Sequence, residues 1–133
     1  MKPHVLIIDD EQNIVLSLSL ALRKEFEVDA ALTAAEGLAK LRAGTYELVL
    51  LDLMIGEDDG LQVLEQIRAI SPQIQVIMIT AFGTIRSSVD AVKRGAFTYL
   101  TKPVNLEELK IYMYQALRYQ EMNNTIANLT NEL

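Results

Sequence analysis

Short apolar runs that each stop on a polar residue, separated by stretches of helical spacing, constrain this chain more than any other feature. Val5-Leu6-Ile7-Ile8 ends on Asp9-Asp10, and Leu48-Val49-Leu50-Leu51 ends on Asp52. Gln75 to Ile79 ends on Thr80, and Ala96 to Leu100 leads into Thr101-Lys102-Pro103. Glu27 to Ala31 supplies a fifth, less apolar run. Runs this short and this apolar read as strands buried on both faces. Between them Ile14, Leu18 and Leu22 fall on one helical face, as do Ala34, Leu38 and Leu41; Val63, Ile67 and Ile70; and Ile85, Val89 and Val92. Each stripe is expected to face the core. Gly44, Ser71-Pro72 and Gly95 stand where the second, third and fourth helices should stop. Strands alternating with helices require crossovers, so the pattern predicts an α/β domain with a parallel sheet covered on both sides, not a sandwich or a bundle.

Composition narrows the chemistry. At 133 residues the chain suits one domain with a real core. The absence of cysteine removes disulfides, a thiol nucleophile and cysteine-ligated metal centres. A net charge of −6 disfavours direct binding to nucleic acid, whose phosphates attract a basic face. No apolar run approaches the roughly 20 residues needed to span a bilayer, and the N-terminus lacks a signal-peptide layout, so no membrane partner and a cytoplasmic location are expected.

In a sheet of this kind ligands bind beyond the carboxyl ends of the strands, where strand order reverses. Asp9, Asp10, Asp52, Thr80 and Lys102 lie at or just past four different strand ends, so they should converge. Clustered carboxylates repel one another unless a cation neutralises them, and Mg²⁺ is the simplest hard, oxygen-seeking companion. A carboxylate beside Mg²⁺ can attack a phosphoryl group, with Lys102 and Thr80 supplying the positive charge and the hydrogen-bond donor that such a group needs. Each residue alone has an ordinary reading: Asp10 as N-cap of a helix starting near Glu11, Asp52 as a loop acid, Lys102 as a solvated lysine, Thr80 as a strand-end hydroxyl. Their conjunction favours a site.

At these residues the sequence resembles the receiver domain of two-component response regulators, over about residues 4 to 120. Val5 to Glu11 resembles the family's acidic pair, Leu50-Leu51-Asp52-Leu53 its phosphoacceptor segment, Thr80-Ala81 its switch hydroxyl and small neighbour, and Lys102-Pro103 its lysine-proline. Gly60, Gly95-Ala96 and Tyr99 also stand where the family has them. The resemblance implies a flavodoxin-like (βα)5 three-layer sandwich with a five-stranded parallel sheet in order 2-1-3-4-5. It implies that Asp52 accepts a phosphoryl group from a phosphohistidine of a sensor histidine kinase. Mg²⁺ would be bound by Asp10, Asp52 and the Met54 backbone carbonyl, with Asp9 assisting through water. Lys102, the Thr80 hydroxyl and the Ala81 N–H would hold the phosphoryl oxygens, and the Lys102-Pro103 peptide would be cis. Phosphorylation would draw Thr80 inward, let Tyr99 turn into the vacated space and change the surface of helix four, strand five and helix five. On type and spacing alone Tyr99 reads first as a plain surface strand aromatic.

Two positions depart from the family. Its usual proline four residues after the phosphoacceptor is Gly56 here, followed by Glu57-Asp58-Asp59, which reads as a freer, solvated acidic loop, with attraction of a metal as the alternative. Its usual aromatic after lysine-proline is Val104. Leu16 and Leu20 fall outside the first helix's core stripe; core burial is the ordinary reading for each alone, and the alternative is an exposed apolar patch on a helix with which the family often docks its kinase.

From Leu106 a helical pattern runs to Leu133, about 42 Å if helical throughout. Tyr119, Met122, Ile126, Leu129 and Leu133 alternate spacings of three and four, a coiled-coil seam interrupted by asparagines. The chain is therefore divided into a receiver over 1–120 and, over 121–133, a helical linker toward an output domain, with pairing into a homodimer and a frayed end both left open. Thr80-Ala81-Phe82-Gly83 and Ala91 to Ala96 are similar to receivers of the nitrogen-regulator type, so transcription regulation is the expected output. The rival from the enzyme class is a Mg²⁺-dependent aspartyl-phosphate phosphohydrolase. The haloacid-dehalogenase type needs two acids two residues apart on the first strand, whereas Asp9 and Asp10 are adjacent. A receiver relative that no longer takes phosphate should have lost a site residue, and all are present.

Overall fold

A computed structural model describes residues 2–81 and 83–132, with 124–132 as backbone alone. Five strands, β1 (His4–Ile8), β2 (Glu27–Ala31), β3 (Leu48–Leu51), β6 (Gln75–Thr80) and β7 (Thr98–Thr101), form one parallel sheet in the order β2-β1-β3-β6-β7. Counting these strands alone, that is the expected order 2-1-3-4-5, and the flavodoxin-like α/β fold is the one observed. Two further strands, β4 (Met54–Ile55) and β5 (Asp58–Asp59), make a small antiparallel hairpin that the sequence did not announce. The last sheet strand starts at Thr98 and not at Ala96. Ala96 and Phe97 approach it through N–H bonds to the Ala91 and Val76 carbonyls, with Ala96 buried under α4 (Ile85–Lys93).

Successive strand residues point to opposite faces. Leu6, Ile8, Val49, Leu51, Val76 and Met78 pack on one side, under α2 (Ala34–Ala43), α3 (Gly60–Ile70) and α4. Val5, Ile7, Leu48, Leu50, Ile77 and Ile79 pack on the other, under α1 (Gln12–Leu22) and α5 (Leu106–Glu132). The three central strands β1, β3 and β6 are covered on both faces, which is why their sequences are continuous apolar runs.

The helical stripes divide into those that bury and those that do not. Ala34, Leu38 and Leu41 are buried, as are Val63 and Ile67, with Ile70 packed at the edge. On α1, Leu22 is buried and Ile14 and Leu18 are half-buried, Val15 takes a core place that the stripe omitted, and the core reading of Leu16 and Leu20 is corrected, since both lie on the outer face and are exposed. The stripe on α4 is corrected outright: Ile85, Val89 and Val92 are 87%, 46% and 52% exposed, and only Ala91 of that helix is buried. Three apolar positions on one face need not be three core positions when the helix rests on the sheet through a small residue.

Helix ends follow local chemistry. The Thr33 hydroxyl caps α2 through Glu36 N–H, Asp59 caps α3 through Leu61 N–H, and Thr84 caps α4 in a capping box with Ser87. The N-cap of α1 is Glu11, with no side-chain cap, so the capping reading of Asp10 is set aside. On α5, Leu109, Met113, Ala116 and Gln120 are buried, and Gln120 reaches the carbonyls of Glu47 and Gln73 at the sheet's amino end. The helix continues to Glu132, with Tyr119 and Met122 exposed. The seam positions Ile126 and Leu129 as side chains, together with Leu133 and Phe82, lie outside the described residues. Among the described residues no helix is long and apolar enough to cross a membrane.

Candidate functional site

The sheet's own hydrogen-bond ladder fixes the site, because it runs one rung past the strands. Asp9 N–H donates to the Ala31 carbonyl at 3.2 Å, Asp52 N–H to Ile8 at 3.1 Å and Lys102 N–H to Thr80 at 2.9 Å. Three candidate site side chains thus start from backbone held as firmly as a strand. Thr80, the last residue of β6, is fully buried.

Lys102 is the centre of the cluster. Its Nζ donates to Asp9 Oδ2 at 2.9 Å, to Asp52 Oδ2 at 3.0 Å and to Glu11 Oε1 at 3.2 Å. The first two partners and the lysine are sequestered, with side chains 5%, 3% and 8% exposed, whereas Glu11 is 52% exposed. An ammonium has three donors, and all three are engaged. Burial alone would drive the Lys102 pKa down, but the hydrogen bonds and charges of Asp9 and Asp52 outweigh it, and the pKa lies above the usual lysine value. Asp9 moves the same way for a different reason. Burial raises its carboxyl pKa, the Lys102 and Glu11 N–H bonds pull it down, and the nearby Asp52 charge pushes it up again, leaving it above the ordinary value.

The remaining groups complete the rim. Asp9 Oδ1 accepts from Glu11 N–H at 2.9 Å, Asp52 Oδ1 from Met54 N–H at 3.3 Å and Asp10 Oδ2 from Gly56 N–H at 3.0 Å. Asp10, Glu11, Asp52, Met54 and Gly56 line an open cavity of about 540 Å³. Gly60, at the start of α3, donates its N–H to the Leu53 carbonyl at 2.6 Å. A Cβ there would press on the Asp52 and Leu53 carbonyl oxygens, so only glycine lets α3 start this close to Asp52. The Lys102-Pro103 peptide is cis. Ala81 is exposed just beyond β6, and Tyr99 of β7 is half-buried, its hydroxyl 3.1 Å from Ser87 Oγ and against Gly83.

One carboxylate oxygen from each of Asp9, Asp10 and Asp52 lies within 4.8 Å of the others. Hard oxygen donors at this spacing suit a hard divalent cation, and the residues present fit such a group. The convergence expected of Asp9, Asp10, Asp52, Thr80 and Lys102 at one sheet edge is therefore present, with Asp10 on the rim. Glu11 and Ser87 were not singled out as site residues, and Gly56 was noted only as a departure from the family's proline. The run Asp9-Asp10-Glu11 carried a signal for the first, since a third acid beside the pair is within reach of the same lysine.

Comparison with known proteins agrees with this geometry. Residues 5–114 match the response regulator receiver domain profile. The alginate biosynthesis transcriptional regulatory protein AlgB of Pseudomonas putida is 33% identical over 131 residues, covering 98% of this chain and 29% of AlgB. The receiver domain protein of Methanospirillum hungatei, described as CheY-like, superposes with a TM-score of 0.88 at 32% identity, covering 92% of this chain and 99% of that one. NtrX of Brucella abortus superposes with a TM-score of 0.91 at 29% identity, covering all of this chain and 31% of NtrX. The chain thus spans under a third of the length of AlgB and NtrX. With the profile matched across the sheet and the acidic site, the chain belongs to the response regulator receiver domain family.

Proposed function

We propose that the chain is a phosphorylation-controlled switch whose phosphoacceptor is Asp52. The observation that carries this reading is the buried Lys102 ammonium bridging Asp9 and Asp52 at the sheet's carboxyl edge. An Asp52 carboxylate oxygen attacks phosphorus as the phosphorus–nitrogen bond of a phosphohistidine breaks, and the imidazole leaves with the electron pair and takes up a proton. The donor is a sensor histidine kinase. Lys102, already within 3.0 Å of Asp52, turns a donor to the transferred group, and the Thr80 hydroxyl and Ala81 N–H supply further donors. Asp10, Asp52 and the Met54 carbonyl would hold Mg²⁺, with Asp9 assisting through water; the ion supplies charge neutralisation for the phosphoryl oxygens.

The response follows from the added charge. Roughly two negative charges on Asp52 draw the Thr80 hydroxyl, and Tyr99 adjusts beside it, changing the face of α4, β7 and α5. The relatives named as transcriptional regulators support an output in transcription, reached through α5 as a linker from the receiver over 1–120. A homodimer through the segment 121–133 and a cytoplasmic location belong to the same reading. The chain catalyses only its own phosphorylation and dephosphorylation.

Incubation with acetyl phosphate or phosphoramidate and Mg²⁺ tests this. Intact-mass measurement should show one labile phosphoryl adduct, absent in Asp52→Asn. No adduct on the wild type would overturn the reading, and rapid turnover of diverse phosphate esters would replace it with a phosphohydrolase.

A further inference from the structure

The hairpin of β4 and β5 has a two-residue loop, Gly56-Glu57, in which Gly56 takes φ +61° and no other residue of the loop is left-handed. Glycine with positive φ at the first central position is the requirement of a type II′ hairpin turn, whose twist matches that of the flanking strands. A Cβ at Gly56 would meet nothing within 4 Å, so its backbone conformation, and not crowding, calls for glycine. In that conformation its N–H points across the cavity mouth and donates to Asp10 Oδ2 at 3.0 Å, 46 residues away in sequence. Asp10 is the exposed member of the acidic cluster, and Asp9 and Asp52 are the buried ones. The buried pair is held by Lys102. Asp10 sits on the rim, where a side chain ordinarily samples several rotamers.

We infer that Gly56 is a positioning residue for cation binding: its backbone N–H holds Asp10 in place for a divalent ion. This rests on the reading of Asp10 as a cation ligand given above. A carboxylate accepts at both oxygens, so a donor on Oδ2 leaves Oδ1 for the ion. With the hydrogen bond in place, the rotamer that faces Asp9 and Asp52 is populated before the ion arrives, and the entropy of ordering Asp10 is not lost on binding. The hairpin therefore contributes through an N–H group and a turn, while the acids Glu57 and Asp58 stay at its exposed tip and Asp59 is spent as the α3 cap.

The test uses Mg²⁺ itself, titrated by calorimetry and by proton–nitrogen NMR of the labelled chain. Gly56→Pro removes the N–H and cannot take φ +61°, and its Mg²⁺ dissociation constant should rise about three- to tenfold, the scale of one hydrogen bond. Gly56→Asn keeps the N–H, and asparagine is one of the few side-chain-bearing residues that visit positive φ, so the variant's dissociation constant should lie nearer to wild type than that of Gly56→Pro. In the ion-free protein, Asp10→Ala should move the Gly56 amide proton upfield and speed its exchange with solvent. A folded Gly56→Pro protein with the wild-type constant overturns the inference, as does a Gly56 amide indifferent to Asp10→Ala. The second measurement decides alone should Gly56→Pro fail to fold. If either result comes with normal acetyl phosphate labelling, only this inference falls. Absence of Mg²⁺ binding by the wild type overturns the reading beneath it as well.

Discussion

Val63, Ile67 and Ile70 recur on α3 at the spacing at which Ile85, Val89 and Val92 recur on α4, yet the first set packs into the core and the second faces water. The helices are neighbours on the same side of the sheet. α3 buries Gly60, Val63, Leu64 and Ile67, and its start is locked against the backbone of Asp52. α4 buries Ala91 and compensates locally, with a Thr84–Ser87 capping box that satisfies its first turn from within. One helix is held by tertiary burial and the other by its own terminus. A helix with little buried apolar surface opens at low cost, which is what the responding surface proposed beside Thr80 and Tyr99 requires.

Four measurements break or sharpen that contrast. The largest effect belongs to α3: Ile67→Ala should destabilise the domain by about 2–5 kcal/mol in urea unfolding, since it empties a fully buried site. A loss under 1 kcal/mol would place α3 with α4. Next, Thr84→Ala removes the cap and should weaken α4 by about 1 kcal/mol. Amide hydrogen exchange should show this within α4, while α3 and the global midpoint hardly move. Equal acceleration in both helices would mean that they open as one unit.

A smaller effect concerns pH and belongs to the fixed side. The Asp9 carboxyl pKa lies above its ordinary value of 3.8, so the folded chain binds this proton before the unfolded one does. Stability of the ion-free wild type relative to Asp9→Asn should therefore rise as pH falls through the window just above 3.8, and be lower at neutral pH where Asp9 is charged in both states. With Mg²⁺ present the trend should reverse, because the proton competes with the ion. Melting temperatures across pH, with and without Mg²⁺, check both signs. The smallest effect is on the exposed stripe: Ile85→Ser should change stability by less than about 0.5 kcal/mol, and a larger loss would show that α4 is packed after all.

Most of the site was legible because the strands end on it. Asp9, Asp52, Thr80 and Lys102 close apolar runs, and in a parallel sheet every run ends at the same edge, so convergence follows from topology. Glu11 and Gly56 were not legible in the same way. Their roles depend on a side chain reaching Lys102 and on a turn aiming one N–H at Asp10, and neither reach nor aim has a sequence period. Ser87 reads as a helix-start residue, and its contact with Tyr99 exists only because β7 runs beside α4.

By itself the sequence determined the number of sheet strands and their alternation with helices, which residues stand at their carboxyl ends, and that a lysine would meet carboxylates there; the order of the strands came from the family resemblance. The first three follow from local periodicity and from the crossovers that parallel strands require. Only the tertiary structure decided which way α4 turns its apolar face, how the hairpin after Asp52 closes, and which acid is buried and which stands on the rim. Spacing defines a face, but the direction of that face, and the burial that shifts the Asp9 carboxyl, depend on what the rest of the chain packs against it.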